Sequence, residues 1–295
     1  MARIVVAGSE PGAGATTVAV GLAQRLAYAG HDVRVERLGD ASDARAADDA
    51  ALFGSLEFAS SSGEPLTADG PVAAAGDDEG TLILEAPSGA DAVALSRQLG
   101  AKLVVVYPAG AEQPSGAALT IETHARDAGA GRLPEDRTLA APRVAELIAA
   151  SGAEVLSRSE AGEAEVCDHI VVGAISHDAA DDYFRRFPRN AVVTRSGRVD
   201  LALAAMLTGT RCLILSGGGT PSPYILDRAA ASRETTLLMT AGDTPSTVHS
   251  IEGTFGRSPF SGESKVERVG ELMRAAVDDA TLASLLGSSG SSTPS

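Results

Sequence analysis

Residues 4–20 read IVVAGSEPGAGATTVAV, and this stretch decides the fold of the first half of the chain. An apolar run over 4–7 precedes a glycine-rich loop, and a helix-like stretch over 18–27 follows it. In this order, strand, loop and helix place backbone N–H groups and a helix N-terminus around phosphate. The stretch therefore predicts a phosphate-binding turn formed by Gly8, Gly12, Ala13, Gly14, Ala15, Thr16 and Thr17.

The predicted loop lacks the lysine of an active phosphate-binding loop. Ala15 occupies the position after the last glycine, where the lysine would stand, and Thr16 keeps the hydroxyl that would bind Mg²⁺. Losing a charge-assisted hydrogen bond of about 1.5–3 kcal/mol weakens phosphate binding about ten- to a hundredfold. Phosphoryl transfer also depends on positioned cations, so we expect little or no catalysis at this loop.

Composition excludes several classes of protein. The 295 residues are 44% hydrophobic and carry a net charge of −15, with Lys102 and Lys265 as the two lysines. This charge argues against nucleic acid or an acidic membrane surface as a partner, and no apolar run reaches the length of a membrane span. We expect a cytoplasmic protein, whose acidity fits either a high-salt cytoplasm or a GC-rich genome.

Strand-like and helix-like segments alternate along the chain, which predicts an α/β fold with parallel sheets. We predict a P-loop-type domain over 1–154, a polar linker over 155–165 and a smaller α/β domain over 166–280. A Gly- and Ser-rich tail over 287–295 has little to bury and is predicted to be disordered.

The first domain resembles the dethiobiotin-synthetase-like N-terminal domain of long phosphotransacetylases. The resemblance rests on the glycine loop, on LILEAPSGAD over 82–91 and on LPEDRTLAAP over 133–142. It implies Mg²⁺ ligands at Thr16, at Glu85 and at Asp49, with Asp40, Asp43 and Asp48 competing with Asp49. The family's base-recognising strand, which ends in asparagine, has no visible counterpart over 108–132.

The second domain resembles the DRTGG domain that follows in the same proteins. Four stretches carry this resemblance: HIVVGAIS from 169, NAVVTRSGRVDLALAAM from 190, CLILSGGGTPSPYIL from 212 and TTLLMTAGDTPSTVHSI from 235. Ser216, Gly217 and Gly218 form a candidate second anion site, because consecutive small residues after a strand can make an anion-binding nest. The resemblance also implies pairing as a homodimer.

These observations predict a regulatory protein that binds a nucleotide such as ATP with Mg²⁺, or another small anion, and acts on an enzyme of acyl-phosphate metabolism. The acetyltransferase domain of the family has no counterpart before Ser295, so that activity is not expected, and no catalytic residue is assigned. Two alternatives stay open. One is an active Mg²⁺- and ATP-dependent enzyme of the dethiobiotin-synthetase type, and the other is a scaffold without a ligand.

Overall fold

The computed structural model describes residues 2–67, 80–176 and 179–287, and the predicted tail lies outside these ranges except for Gly287. The chain forms two compact units, one of Met1–Glu135 with Val266–Ser295 and one of Asp136–Lys265. Within the described ranges, no helix combines the length and the apolar character needed to cross a bilayer.

The first unit is built on a parallel six-stranded sheet of order β2-β3-β1-β4-β5-β6. Its elements up to residue 135 are β1 Ala2–Gly8, α1 Ala15–Tyr28, β2 Val33–Arg37, α2 Ala44–Gly54, β3 Thr81–Glu85, α3 Ala92–Leu99, β4 Lys102–Pro108, β5 Leu119–Ala125 and β6 Arg132–Pro134. The alternation of strands and helices predicted from sequence is therefore confirmed.

The central strands are apolar because the sheet is covered by helices. Ile4, Val5 and Val6 of β1 are fully buried, and β3 is buried along its whole length. Parallel sheets covered on both faces have such continuous apolar strands, whereas strands of a sheet with one solvent-exposed face alternate apolar and polar residues. The carboxyl ends of all six strands lie on one edge, because every pairing in this sheet is parallel.

The stretch 108–132, where no counterpart of an asparagine-ending strand was visible in the sequence, does contain strands. Strand β5 pairs with β4 over Leu119–Thr123, and β6 pairs with β5. The strand reads LTIETHA, whose alternating polar residues make its apolar signal weak. It contains no asparagine.

The second unit contains a five-stranded sheet of order β7-β11-β10-β9-β8. Its elements are α4 Arg137–Ala140, α5 Val144–Ser151, β7 Glu154–Ser157, a 3₁₀ turn Gly162–Ala164, β8 His169–Val172, α6 Ala180–Arg185, β9 Asn190–Arg195, α7 Val199–Leu207, β10 Cys212–Ser216, α8 Pro223–Ser232, β11 Thr236–Met239 and α9 Thr244–Glu252. Strands β8 to β11 are parallel, and β7 is antiparallel to β11.

The division between the units falls earlier than the predicted linker over 155–165. Part of that stretch is strand β7, which pairs with β11. Helix α5, placed in the first domain from sequence, packs its Val144 and Leu147 into a core shared with Cys167 and Cys212. The polar composition of 155–165 reflects a half-buried edge strand and the turn that follows it, and does not mark a domain boundary.

Two further helices complete the chain, α10 Glu263–Ala276 and α11 Asp279–Leu285. Helix α10 begins in the second unit, and its residues from Val266 onward belong to the first. There it lies so close to α1 that a Cβ on Gly21 would stand 2.4 Å from Met273 Cγ. Helix α11 is tied to α1 by Arg25, which donates to Asp279 Oδ1 at 2.7 Å.

Lys265 is a fully buried lysine in the second unit. Its Nζ donates to the carbonyl of Pro259 at 3.2 Å. Burial lowers the pKa of Lys265 from 10.5 to about 8, while the charge of Glu146 opposes that change. A buried ammonium costs free energy because the fold removes its water, so the folded unit favours the neutral amine.

We expect the stability contributed by Lys265 to rise with pH. Its folded pKa lies below its unfolded pKa, so the contribution is full above pH 10.5 and is lost as the pH falls through about 8. The free energy of unfolding of the wild type relative to Lys265→Met should therefore increase by roughly 3 kcal/mol across that interval. Urea unfolding at several pH values measures this difference.

The exposed Lys102 supplies the matched control. Lys102→Met removes the other lysine, and its stability difference from the wild type should stay flat over the same pH interval. A Lys265→Met difference that is equally flat would contradict the assignment of a buried amine with a lowered pKa.

Candidate functional site

The glycine loop after β1 has the backbone of a phosphate-binding turn. Gly12 and Gly14 have φ values of 85° and 90°, which residues with a side chain rarely adopt. Gly14 stands at the N-cap of α1 without a side-chain cap, and the first turn of α1 contains no acidic residue. The first N–H groups of a helix have no acceptor within the helix, so this N-terminus favours an anion.

The loop is held by strands on the same edge of the sheet. Ser9 N–H donates to Val106 O of β4 at 2.8 Å. Thr123 of β5 donates its hydroxyl to Ala13 O at 2.7 Å. The strand missed from sequence thus supplies a support for the loop, and the loop lies where chain connections leave β1 and β4 in opposite directions. Ligands of open α/β sheets bind in such crevices.

Thr16, Glu85 and Asp49 come together beside the loop. Thr16 Oγ1 donates to Glu85 Oε1 at 2.9 Å, which joins the start of α1 to the end of β3. Asp49 projects from α2, and its charge acts on Glu85. The competing Asp40 and Asp43 bind backbone N–H groups of their own turn instead. The three side chains suggested as metal ligands are therefore neighbours.

Arg37 is a member of this cluster that sequence reasoning did not identify. It is the last residue of β2 and is paired in register with Glu85. Its Nε lies 3.3 Å from Asp49 Oδ2 and 3.9 Å from Glu85 Oε1. The signal was present in VRVER over 33–37, because a charged residue at the carboxyl end of a buried strand lies on the functional edge of the sheet.

The cluster is almost out of water. The exposed fractions are 8% for Thr16, 7% for Asp49, 3% for Glu85 and 5% for Arg37. Burial and the nearby Asp49 charge together raise the pKa of Glu85 to about 7, against the opposing charge of Arg37. Burial likewise raises the pKa of Asp49, against the attraction of Arg37. Both carboxylates thus gain from any additional positive charge that reaches them.

One oxygen in the cluster has no hydrogen-bond partner. Glu85 Oε2 is buried and unpaired, whereas Glu85 Oε1 accepts from Thr16. Carboxylate and hydroxyl oxygens are the ligands that Mg²⁺ prefers, usually one or two carboxylates with phosphate and water. No group of three or more His, Cys, Asp or Glu side chains in the described ranges suits a metal, and this set has two carboxylates and a hydroxyl. The residues present fit a Mg²⁺ ion of that kind.

In the second unit, the loop after β10 does not offer the predicted anion nest in its present form. Gly217 N–H donates to Gly242 O at 2.7 Å, and Gly218 N–H donates to Thr240 O at 2.9 Å. Ser216 is fully buried, and its hydroxyl is 2.7 Å from that of Thr244. These groups hold neighbouring strand ends together and are not free to bind an anion, because the chain's own carbonyls occupy them.

Polar side chains that follow β9 and β11 in the second unit are also satisfied locally. Arg198 forms a two-bond contact with Asp200, at 2.9 and 2.7 Å, and its side-chain hydrogen bonds lower the pKa of Asp200 to about 2. Asp243 accepts from Ser246 N–H at 2.8 Å and caps α9. Both contacts stabilise the local backbone and side chains of the second unit.

The comparison with protein families identifies one domain. Residues 146–254 match the DRTGG domain, so a DRTGG domain is present in the second unit. The match begins at Glu146 within α5 and ends at Thr254, just beyond α9. It therefore includes β7, in agreement with the unit boundary of the structure.

One solved structure is similar over part of the chain. It is described as the CBS and DRTGG domains of the regulatory region of Clostridium perfringens pyrophosphatase, complexed with the activator diadenosine tetraphosphate. The match has 18% identity and a TM-score of 0.34, and covers 41% of this chain and 52% of that one. The chain thus matches about half of that protein's length, and a likeness at this score carries no argument about function.

Proposed function

We propose that the first unit binds a nucleotide or another small phosphorylated anion together with a divalent cation, and that the chain uses this binding to regulate rather than to catalyse. The carrying observation is the convergence of Thr16, Glu85 and Asp49 at the N-terminus of α1, beside a glycine loop that lacks its lysine. The dethiobiotin-synthetase-like character of this unit belongs to the same proposal.

The anion would be held by backbone groups of the loop. The helix N-terminus, the two left-handed glycines and the absence of an acidic residue in the first turn all favour negative charge. A cation bound to Thr16 and Glu85, with Asp49, would neutralise phosphate oxygens and orient them. With Ala15 in the lysine position, the loop keeps the backbone groups that would position the anion but has no positive side chain of its own.

Regulation is supported by the organisation of the chain. A DRTGG domain follows the phosphate-binding unit, and its described strand ends are closed by its own hydrogen bonds. The first unit has the proposed ligand site, and the described residues of the DRTGG domain show no evident group of catalytic side chains. This combination favours a protein that senses a ligand. We further propose that the regulated partner is an enzyme of acyl-phosphate metabolism, as the resemblance to phosphotransacetylase suggests.

An active Mg²⁺- and ATP-dependent enzyme is the second candidate. It is favoured by the intact set of Thr16, Glu85 and Asp49, and by a buried arginine that reaches Glu85. The guanidinium of Arg37 is bonded to Asp49 and to the carbonyls of Leu38 and Glu85. Because those bonds turn it toward the carboxylates, it is a poor replacement for a lysine that contacts phosphate directly.

Ala15→Lys should tighten binding of ATP or inorganic phosphate about ten- to a hundredfold, because it restores one charge-assisted hydrogen bond of about 1.5–3 kcal/mol. Isothermal titration with ATP, acetyl phosphate and inorganic phosphate measures the gain. The matched control is Ala230→Lys, which adds the same charge at an exposed position of α8. It should leave the affinity within about twofold.

The same proteins test catalysis. The wild type should hydrolyse ATP negligibly with Mg²⁺. Robust wild-type turnover that Thr16→Ala abolishes would replace the sensing proposal by the enzyme. Equal affinities for Ala15→Lys and Ala230→Lys would show that the loop does not bind the anion.

Glu85→Gln should abolish stabilisation of the chain by Mg²⁺ or Mn²⁺, since an amide is a much weaker ligand than a carboxylate. The measurement is the midpoint of thermal unfolding with and without the metal ion. Glu36→Gln is the control, because Glu36 is another fully buried glutamate of the same sheet, bonded to Arg34 and to Ser62. It should unfold earlier and keep the metal-dependent shift, and an unchanged shift in Glu85→Gln would contradict the cation site.

We also propose a homodimer formed through residues 166–280. Tyr224 and Leu226 of α8 are exposed apolar side chains of that part, at 74% and 36%. Two chains of charge −15 repel, and screening shortens this repulsion from about 10 Å at 0.1 M salt to about 3 Å at 1 M. The dimer should therefore strengthen as salt is added.

Light scattering over a salt series measures the assembly. Tyr224→Ser should weaken the dimer, whereas Tyr28→Ser removes an equally exposed tyrosine from the first unit and should not. A monomer at every salt concentration, or a dimer that dissociates when salt is added, would contradict the proposal.

A further inference from the structure

The cluster beside the glycine loop already contains a positive charge. The side chain of Arg37 is buried, with an exposed fraction of 5%, and its guanidinium carries that charge. It lies between a carboxylate from α2 and a carboxylate from β3, at 3.3 Å and 3.9 Å from their oxygens. The position between two buried acids is also the position from which a divalent cation would neutralise them.

Arg37 is fixed there by the backbone as well. Its Nη1 donates to the carbonyls of Leu38 and Glu85, so the guanidinium bonds to backbone oxygens and to a carboxylate at once. The register that pairs Arg37 with Glu85 places both residues at the same level of the sheet edge. The arginine is thus part of the folded strand end, and its removal from the carboxylates requires a rearrangement.

The charge balance of the cluster opposes two cations at once. The two carboxylates can supply two negative charges, of which the guanidinium balances one. A divalent cation added beside Arg37 would leave one excess positive charge in a site nearly closed to water, where such repulsion is poorly screened. Glu85 Oε2 is the buried oxygen that stays unpaired while Arg37 is in place.

We propose that Arg37 is the resident counter-ion of the Asp49–Glu85 pair, and that a divalent cation binds tightly only when Arg37 leaves that pair. The inference rests on the cation site of the proposed function. It makes Arg37 a positioning and specificity-determining residue, because it sets how strongly the site prefers a cation over its own side chain. A weak cation site suits a sensor that releases its ligand readily.

The test is the affinity for Mn²⁺, measured by electron paramagnetic resonance on the full chain. Arg37→Met keeps a long side chain without the charge and should bind Mn²⁺ at least tenfold more tightly than the wild type. Arg37→Lys keeps the charge and should stay within about threefold of the wild type. Arg37→Met combined with Glu85→Gln should lose the gain, which places the metal at the cluster.

Thermal unfolding follows the same variants. Arg37→Met leaves two buried carboxylates without the guanidinium that neutralises them. It should therefore unfold at a lower temperature than the wild type without metal and show the larger stabilisation with Mn²⁺. An equal or weaker Mn²⁺ affinity in folded Arg37→Met would overturn the inference. Failure of every variant to bind Mn²⁺ would overturn it as well.

A measurement on the wild type covers the case in which Arg37→Met does not fold. The ¹⁵N resonance of Arg37 Nε, assigned by its absence in Arg37→Lys or Arg37→Gln, should shift and lose protection from hydrogen exchange as Mg²⁺ is added. An unchanged, protected resonance at saturating Mg²⁺ would overturn the inference. Nucleotide titration on the same samples separates the two proposals: loss of anion binding with a positive Arg37 result removes only the proposed function.

Discussion

The first unit depends on the neutralisation of two buried carboxylates at the carboxyl edge of its sheet. Asp49 and Glu85 lose most of their water on folding, and an unpaired buried charge costs several kcal/mol. Arg37 and the Thr16 hydroxyl offset that cost, and in doing so they join β2, β3, α2 and the start of α1. The charge balance of this cluster therefore also positions the glycine loop.

In this arrangement the loop keeps the backbone that would position a phosphate but lacks the positive charge that would bind it. In an active phosphate-binding loop a lysine follows the last glycine, whereas here the residue is Ala15 and the buried cation comes from a neighbouring strand. The guanidinium of Arg37 donates hydrogen bonds to the Asp49 carboxylate and to the Glu85 carbonyl, so its charge stabilises the folded chain and is not directed at a ligand. The proposed binding without efficient turnover rests on this division.

At the carboxyl edge of the sheet in the second unit, the N–H groups of the glycine loop are already hydrogen-bonded within the chain. The glycines after β10 have positive φ values, and the carbonyls of Gly242 and Thr240 accept hydrogen bonds from the N–H groups of Gly217 and Gly218. A nest binds an anion only when its N–H groups lack internal acceptors. The presence of a DRTGG domain at 146–254 thus agrees with a part of the chain that is structurally self-contained.

The sequence by itself determined the elements and their order. The alternation of apolar runs with helix-like segments predicted the α/β fold, because burial on both faces of a parallel sheet leaves continuous apolar segments. The glycine spacing determined the loop, because left-handed φ values at Gly12 and Gly14 exclude most other residues. Strands β5, β6 and β7 were not predicted: β5 alternates polar and apolar residues, and β6 and β7 are short edge strands, so all three carry little apolar signal.

Only the tertiary structure decided which polar residues act together. Arg37, Asp49 and Glu85 are separated by up to 48 residues in the chain and meet because parallel pairing brings strand ends to one edge. It also decided that α5 and β7 belong with the second unit and that the Gly217 and Gly218 N–H groups are occupied. Hydrogen-bond partners and burial arise from contacts distant in sequence, and no local pattern contains them.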